Sequence, residues 1–384
     1  MNDASTILRT NFIGVTIFSL SLALASPSWA DDSVSNFKLS GFLSAIGGKV
    51  LSSNLDANYS GPKAINGVDC PCYVADWGNA GVYNQETSLK PESRAGIQVK
   101  YKLNQQVDFG AQLVIRGSDS TPNLQWAYAN FKPNNNWEIQ VGRKRIPLYY
   151  YSDFQDVGVA YPWISPPPEL YGWEATNYNG GSLRYRGDVG DTNLSTSFFA
   201  GKETVKNSLY QRLYYTGKTK VIWDNLLGSD VEISNGPFTG RVVYMQAKVS
   251  TINIENDINS RANLNAFGIA ANFDFDSWFI LTEFTKLTRK FTADHYKVTA
   301  PAFTIGAGMR IGKWTPFLNF AQYIESTDDL NVYAPQSFRR KSVTLRYDID
   351  AASAVKVQVD SQRDVSNNFG GHVTVLRFGY DRVF

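Results

Sequence analysis

Segments of about ten residues, spread over most of the chain, alternate between apolar and polar positions. One such segment runs from residue 94 to residue 103. Its apolar side chains are Ala95, Ile97, Val99, Tyr101 and Leu103, and its polar positions are Arg94, Gly96, Gln98, Lys100 and Lys102. The same period of two recurs over 107–116, 303–311, 342–349 and 355–360. Side chains alternate faces along a β-strand, so the pattern predicts strands with one apolar and one polar face.

The last strand of the chain, 374–384, shows this alternation with an additional feature. One face carries Thr374, Leu376, Phe378, Tyr380, Arg382 and Phe384, and the other carries Val375, Arg377, Gly379, Asp381 and Val383. In a transmembrane barrel the apolar face meets lipid, whereas the polar face lines an aqueous lumen. A final strand of this kind that ends on phenylalanine is typical of a bacterial outer-membrane barrel.

The connections between the predicted strands alternate in length. The short connections are 104–106, 132–136, 188–191, 235–237, 274–277, 313 and 350–352. The long connections are 47–92, 117–123, 144–179, 202–225, 250–262, 289–301, 325–337 and 363–372. Together they join sixteen strands, with 226–234 and 315–323 the least regular of them. The pattern predicts an all-β fold, a 16-stranded antiparallel transmembrane β-barrel with its short turns on the periplasmic side.

The N-terminus carries an apolar stretch from Phe12 to Ala25, followed by small residues at Ser28 and Ala30. This stretch has the length of the apolar region of a secretory signal peptide and is too short to span a bilayer. We expect residues 1–30 to be a signal peptide and 31–384 to form the barrel domain.

Composition agrees with a barrel and narrows the choice of partners. Aromatic residues make up 14% of the chain, which contains 30 glycines and 21 tyrosines and has a formal net charge of +2. An aromatic-rich chain without long apolar runs is expected when only every second side chain faces hydrocarbon. The near-neutral charge argues against a nucleic-acid partner.

These features together give the chain from 31 to 384 a resemblance to a known family, the trimeric general diffusion porins of Gram-negative outer membranes. The segment 137–143, Trp-Glu-Ile-Gln-Val-Gly-Arg, is similar to the fifth strand of that family, which ends in Gly-Arg before a long third loop. Arg382 departs from the pattern, because the family often has an aromatic residue there.

The resemblance implies a location and a set of partners. We expect a homotrimer in the outer membrane of a Gram-negative bacterium, in contact with lipid and lipopolysaccharide. The resemblance further implies a water-filled channel for the passive diffusion of ions and small hydrophilic solutes, with no cofactor.

The third long connection, 144–179, is the candidate functional site. A barrel of about 16 strands leaves an aqueous channel, so a loop that folds inwards is expected to narrow it. The loop carries the acids Asp153, Asp156, Glu169 and Glu174, and the barrel wall offers the bases Arg94, Lys100, Arg116, Arg184 and Arg186. Acids facing bases would create a transverse field that sets ion preference. The same charges could instead be ordinary solvated residues. Neutralising the four acids together is expected to shift selectivity towards anions.

Aromatic residues of the same loop leave a second possibility for the solute. They are Tyr149, Tyr150, Tyr151, Trp163, Tyr171 and Trp173. Such rings could form a track on which sugars stack, as in sugar-specific porins. More often, large rings pack a folded-in loop against the barrel wall. We therefore treat a substrate-selective, sugar-type channel as the alternative to a general pore.

A barrel enzyme is a weaker alternative. Outer-membrane phospholipases and proteases need a histidine beside a nucleophile or an acid. The chain has 2 histidines, His295 and His372, and neither lies in a recognisable catalytic context.

The chain has 2 cysteines, Cys70 and Cys72, which lie in the first long connection on either side of Pro71. In an oxidising compartment a disulfide is expected, and a pair of free thiols is the alternative. No further ligands with metal-binding spacing accompany them, so no metal site is expected. A disulfide here would brace the loop locally, without a role in transport.

Overall fold

The computed structural model describes residues 36–54, 61–366 and 369–384. Within these residues sixteen long antiparallel strands close into a barrel, which confirms the predicted fold class. The predicted signal peptide, 1–30, lies outside the described residues. The strands, numbered here in chain order, are β1 Phe37–Asn54, β2 Arg94–Lys102, β3 Val107–Arg116, β4 Asn123–Phe131, β5 Trp137–Arg145, β6 Asn177–Val189, β7 Thr192–Val205, β8 Lys220–Asn235, β9 Phe238–Asn253, β10 Ile258–Phe275, β11 Trp278–Phe291, β12 Lys297–Met309, β13 Trp314–Ile324, β14 Ser337–Asp350, β15 Ser353–Asp364 and β16 His372–Val383.

Each strand pairs with its neighbours in the sequence, and β1 pairs with β16 to close the barrel. In that closing ladder Phe42 lies opposite Val383. The C-terminal residue is tied to the same ladder, because Gly41 N donates to Phe384 O at 2.7 Å and Phe384 N donates to Gly41 O at 3.0 Å. Unpaired strand edges do not occur in the hydrocarbon region of a membrane, and a closed barrel has none.

The period-two pattern separates an exposed apolar face from a buried polar face. Phe378 of β16 and Phe384, which directly follows this strand, are 45% and 52% exposed, whereas Arg377 and Asp381 on the other parity are 0% and 1% exposed. Apolar residues therefore cover the outside of the barrel, and charged residues point inwards. This inverted arrangement is expected of a barrel in lipid.

Aromatic pairs border the outer surface near the short turns. Ring centroids are 5.1 Å apart for Trp137 and Tyr185, and 4.6 Å apart for Trp314 and Tyr347. Such rings suit the boundary between hydrocarbon and water, because their bodies are apolar and their N–H or O–H groups are polar.

The seven short connections lie close to where the sequence predicts them, at 103–106, 132–136, 190–191, 236–237, 276–277, 310–313 and 351–352. On the other side, the predicted long connections 250–262 and 289–301 are wrong. The strand ladders continue there, pairing Asn253 with Ile258 and Lys290 with Lys297, so only the turns 254–257 and 292–296 remain. The irregular segments 226–234 and 315–323 belong to β8 and β13.

The connections on the long-loop side that bring side chains into the barrel include loop 1 (55–93), loop 3 (146–176) and loop 4 (206–219). Loop 3 contains two short 3₁₀ turns, Ser152–Phe154 and Gly158–Ala160. Among the described residues, no helix has the length and apolar character needed to cross a membrane.

The inner wall is not uniformly polar, in contrast to the sequence expectation. Along β9 to β13 it presents buried apolar side chains, among them Met245, Leu264 and Phe317, each at most 1% exposed. These side chains form one cluster with residues of loops 1, 3 and 4. Burial of apolar surface therefore draws the loops onto this part of the wall.

Candidate functional site: a loop folded into the barrel

Loop 3 is fastened to the wall by its aromatic residues. Trp163 is 1% exposed, and its ring lies edge-on to Tyr151 at 5.4 Å and to Phe317 of β13 at 5.1 Å between centroids. Tyr149 and Tyr171 are also buried, with centroids 4.5 Å apart. These rings pack the loop against β13 and each other, so they do not present a continuous track to a solute.

Asp156 anchors the loop on the β3–β5 side. Its carboxylate accepts hydrogen bonds from Arg116 at 2.6 Å and from Arg145, and its backbone carbonyl accepts from Arg94 Nε at 2.8 Å. Burial alone would raise the pKa of the Asp156 carboxyl, but Arg116, Arg145 and Arg94 together hold that pKa well below its usual range. Asp156 is therefore an ionised, buried anchor.

Glu169 anchors the loop on the opposite side through a chain of alternating charges. Arg340 Nε lies 2.9 Å from Glu169 Oε1, and Arg340 Nη1 lies 2.9 Å from Asp360 Oδ1. Arg377 then donates to Asp360 Oδ2 at 2.8 Å and to Glu92 Oε1 at 2.7 Å. All five side chains are buried. This series of ion pairs connects loop 3 to strands β14 to β16 and to loop 1.

Backbone carbonyls of loop 3 are held by bases of the same strands. Lys356 Nζ donates to Gly158 O at 2.6 Å and to Trp163 O at 2.7 Å, and it also lies 3.0 Å from Asp381 Oδ2. The loop approaches the wall so closely at Gly158 that a Cβ there would collide with the Asp381 carboxylate. Glycine at this position therefore permits the docking.

The β9–β11 wall adds a third set of anchors. Arg289 forms an ion pair with Glu174, and Glu283 accepts hydrogen bonds from the backbone N–H of Tyr150 and the hydroxyl of Tyr171. Arg241 donates to the carbonyl of Pro147 at 2.9 Å. The loop is thus pinned at intervals along most of its length.

Asp153 differs from the other three acids of the loop. Its side chain is exposed, and within the described residues it has no base at ion-pair distance. It faces a cavity of about 950 Å³ bounded by strands β1 to β7. Among the predicted bases, Lys100, Arg184 and Arg186 line this cavity, and Arg186 also pairs with Glu138 at 2.9 Å.

The nine predicted charges therefore divide into two groups. Asp153, Lys100, Arg184 and Arg186 line the cavity, whereas Asp156, Glu169, Glu174, Arg94 and Arg116 are tied up in anchoring contacts. That these acids and bases form a constriction stays a prediction, and Asp153 is the acid of the set that lines the larger cavity. The physical reason for the division is that a charge taken out of water needs a partner, and the inserted loop brings acids and wall bases together.

A second cavity, of about 290 Å³, lies on the other side of loop 3, and it includes Arg116, Arg143 and Glu203 in its lining. Consecutive residues are divided between the two cavities. The smaller cavity is lined by Gln125, Arg143, Gln155 and Asn177. The larger cavity is lined by the adjacent residues Trp126, Lys144, Phe154 and Tyr178. The cavities therefore follow one another along β4 to β6 and are separated at the level of loop 3.

Several residues of the site were not predicted. Lys144 and Arg145 line the cavity wall, and Arg340, Lys356 and Arg377 hold the loop. For Lys144, Arg340, Lys356 and Arg377 the signal in the sequence is position, because they occupy the polar parity of their strands. Arg145 instead shares the parity of the exposed Ile139 and Val141, so the alternation does not mark it. Parity says that a base points inwards, but it does not say whether loop or solvent lies in front of it.

Cys70 and Cys72 form a disulfide with an S–S distance of 2.03 Å. Cys72 is fully buried in the cluster that joins loops 1, 3 and 4. Across the described ranges no group of three or more histidine, cysteine or acidic side chains is arranged to hold a metal ion. His295 is exposed in the turn 292–296, and His372 is the first residue of β16.

No protein-family model matches the sequence, and no curated protein is similar to it in sequence. Solved structures are similar in fold. The outer membrane channel DcaP of Acinetobacter baumannii superposes with a TM-score of 0.60 at 11% identity, over 91% of this chain and 97% of that chain. The anion-selective porin from Comamonas acidovorans gives 0.55 at 14% identity, over 91% and 99%. In-vitro folded OmpT, an outer membrane protein of Vibrio cholerae in its trimer form, gives 0.55 at 9% identity, over 91% and 99%. At these identities the likeness establishes the barrel fold.

Proposed function

We propose that this chain is a porin of the outer membrane of a Gram-negative bacterium. It would form a passive, water-filled channel for ions and small hydrophilic solutes. The observation that carries the proposal is the pair of cavities on opposite sides of loop 3, which follow one another along the same wall of a sixteen-stranded barrel. A barrel of this width has room for an aqueous path, and an inserted loop narrows it without filling it.

We place the constriction at the level where the linings of the two cavities meet, because loop 3 contributes residues to both there. Asp153 and Phe154 of loop 3 face it from one side, and Trp126, Lys144 and Tyr178 face it from the wall. An acid on the loop and a base on the wall still give a transverse field, now carried by Asp153 on the loop and by Lys144 and Arg184 on the wall.

The assembly and location belong to the same proposal. An apolar outer face with aromatic residues near the short turns supports contact with lipid, lipopolysaccharide or a second copy of the chain. The trimer form of a solved structure with the same fold supports a homotrimer. Export with removal of residues 1–30, leaving 31–384 as the barrel domain, would bring the chain to this membrane.

The barrel fold by itself does not exclude an enzyme. Against catalysis, His295 is solvent-exposed in the turn 292–296. His372 lies opposite Asn54 in the closing ladder. We therefore infer transport rather than catalysis. The buried state of the loop-3 rings likewise favours a general pore over a sugar track.

Conductance in planar bilayers tests the proposal. Purified folded protein should give stepwise, ohmic conductance, in groups of three steps if it inserts as a trimer. A Lys144→Cys variant adds one free thiol to a chain whose native cysteines are paired. Treatment with a bulky thiol reagent should reduce its conductance and leave the parent protein unaffected. Folded protein that gives no conductance at all would overturn the proposal.

A further inference from the structure

We propose that the larger cavity is an anion-binding chamber, and that the channel conducts small inorganic and carboxylate anions in preference to cations. This inference rests on the proposed function and names the solute class of the same path. Its basis is the charge that remains in the chamber after the ion pairs of the described residues are taken into account.

Charged side chains line the chamber unequally. The bases are Lys38, Lys100, Lys102, Lys132, Lys144, Arg145, Arg184 and Arg186, and the acids are Asp108, Glu138 and Asp153. Lys132 lies 3.7 Å from Asp108, Arg186 pairs with Glu138, and Arg145 pairs with Asp156 of loop 3.

Five bases are left without a carboxylate at ion-pair distance within the described part of the chain. They are Lys38, Lys100, Lys102, Lys144 and Arg184. The acid left in the same condition is Asp153. The chamber therefore carries an excess of positive charge even though the whole chain is close to neutral, with a formal net charge of +2.

The first group of bases lies near the short-turn end of β1 and β2. Lys38 is directly opposite Lys100 in the ladder, and Lys102 follows on the same face as Lys100. Like charges directly across a ladder destabilise strand pairing. An anion between the two ammonium groups would relieve this repulsion, so the pair favours a bound or passing anion.

The second group lies at the narrow level beside loop 3. Lys144 Nζ donates to Ser182 Oγ at 2.7 Å and lies 5.9 Å from the centre of the Tyr128 ring. Arg184 is two positions along β6 from Ser182 and therefore points to the same side. Asp153 faces this group from loop 3 across the cavity.

Two further acids, Asp230 and Glu232 on β8, also act on Arg184 through space, but neither lines the chamber. Asp230 accepts a hydrogen bond from Ser197 and lies 3.6 Å from Arg241, so its charge is already shared. Positive charge thus extends from the mouth to the narrow level. Low-dielectric walls concentrate such a field and raise the local concentration of anions.

Reversal potential under a potassium chloride gradient tests the selectivity. The parent pore should be anion-selective, and the pair of substitutions Lys144→Gln and Arg184→Gln should lower the chloride-to-potassium permeability ratio several-fold. The matched control removes two exposed bases of the opposite, outward parity, Lys286→Gln and Lys341→Gln, and should leave the ratio unchanged. The charge-conserving pair Lys144→Arg and Arg184→Lys should keep the parent ratio. A cation-selective parent pore, or equal ratios in the chamber and control pairs, would overturn the inference while leaving the pore intact.

A second measurement does not depend on transport. Trp126 lines the chamber, so its fluorescence, taken as the difference between parent protein and a Trp126→Phe variant, reports on ions there. With each quenching constant divided by that of free tryptophan amide, iodide should quench this component more strongly than caesium, and the preference should fall in the Lys144→Gln, Arg184→Gln pair. Equal quenching by both ions would overturn the chamber. Iodide preference in a protein without conductance would support the chamber and overturn the pore, so the two failures are distinguishable.

Discussion

Two parts of the inner wall carry bases in the same period-two pattern and use them differently. On β14 to β16, Arg340, Lys356 and Arg377 are at most 1% exposed, and each contacts loop 3 or a buried acid. On β1 and β2, Lys38 and Lys100 are exposed and lack such partners among the described residues. Basic side chains on the inward parity are anchors where loop 3 lies against them, and they line the larger cavity where it does not.

The position of loop 3 is what separates the two regions. The apolar patch on β9 to β13 offers burial to the loop aromatics, and the adjacent strands β14 to β16 offer buried bases to its acids and carbonyls. Both favour docking on that side. On the other side of the barrel Asp156 holds Arg94, Arg116 and Arg145. The bases that remain exposed there include Lys38, Lys100 and Lys102 of β1 and β2.

Breaking the anchored side should have the largest effect. Arg340→Met removes the shared partner of Glu169 and Asp360. The buried Glu169 carboxylate then loses its ion pair, whereas Asp360 keeps Arg377. Removing one member of a buried ion pair costs about 3–5 kcal/mol. Thermal unfolding in detergent should show a clearly lowered midpoint, together with noisier conductance from a loosened loop.

The matched control for this change is Arg339→Met, because Arg339 is exposed on the opposite parity. An equal loss of stability in both variants would mean that the contacts of Arg340 with Glu169 and Asp360 add no stability beyond that of an exposed arginine.

A smaller effect on the same side is expected from Gly158→Ala. The added methyl group would collide with Asp381, so Asp381 must move away from Lys356 or the loop must lift. Overpacking of this kind costs about 1–3 kcal/mol. We expect a lowered unfolding midpoint, whereas Gly78→Ala, which meets nothing nearer than 3.4 Å, should leave it unchanged.

The Asp156 anchor should give stability a characteristic pH dependence. Its pKa is lowered in the folded protein by Arg116, Arg145 and Arg94, acting against the effect of burial. A lowered folded-state pKa contributes stability that is fully present above the ordinary aspartate pKa of about 4 and is lost as the pH falls below it. Unfolding midpoints of the parent and of Asp156→Asn should therefore differ at pH 6 and converge in strong acid. A difference that stays constant from pH 6 to pH 3 would contradict the role of this carboxylate.

The smallest effect is expected on the open side. Asp153→Asn removes the one exposed acid of the predicted constriction set without disturbing an anchor. The reversal potential should shift modestly towards anions. The free energy of unfolding should stay within about 0.5 kcal/mol of that of the parent, as for other surface substitutions. A large loss of stability would mean that Asp153 anchors the loop as Asp156 and Glu169 do. The distinction between anchored and cavity-lining charges would then fail.

This distinction also refines the experiment suggested by the sequence. Neutralising Asp153, Asp156, Glu169 and Glu174 together would combine one change of the pore field with three broken anchors. The single variant at Asp153 separates the two consequences.

The sequence by itself determined the barrel. Alternation on segments such as 374–384, together with the alternating lengths of the connections, was sufficient for sixteen strands, because strand geometry imposes period two locally and the surrounding lipid requires an apolar outer face. The sequence also indicated that Asp153 and Arg184 point inwards. It missed the short turns 254–257 and 292–296, because the polar residues at the ends of these long strands resemble a loop sequence.

Only the tertiary structure decided what each inward charge does. Glu169 and Asp153 have the same sign and lie in the same loop, yet one is buried against Arg340 and the other faces the chamber. The difference depends on contacts between residues far apart in the chain, such as 169 with 340. No local period encodes such contacts, because they arise from the packing of the whole loop against one side of the barrel.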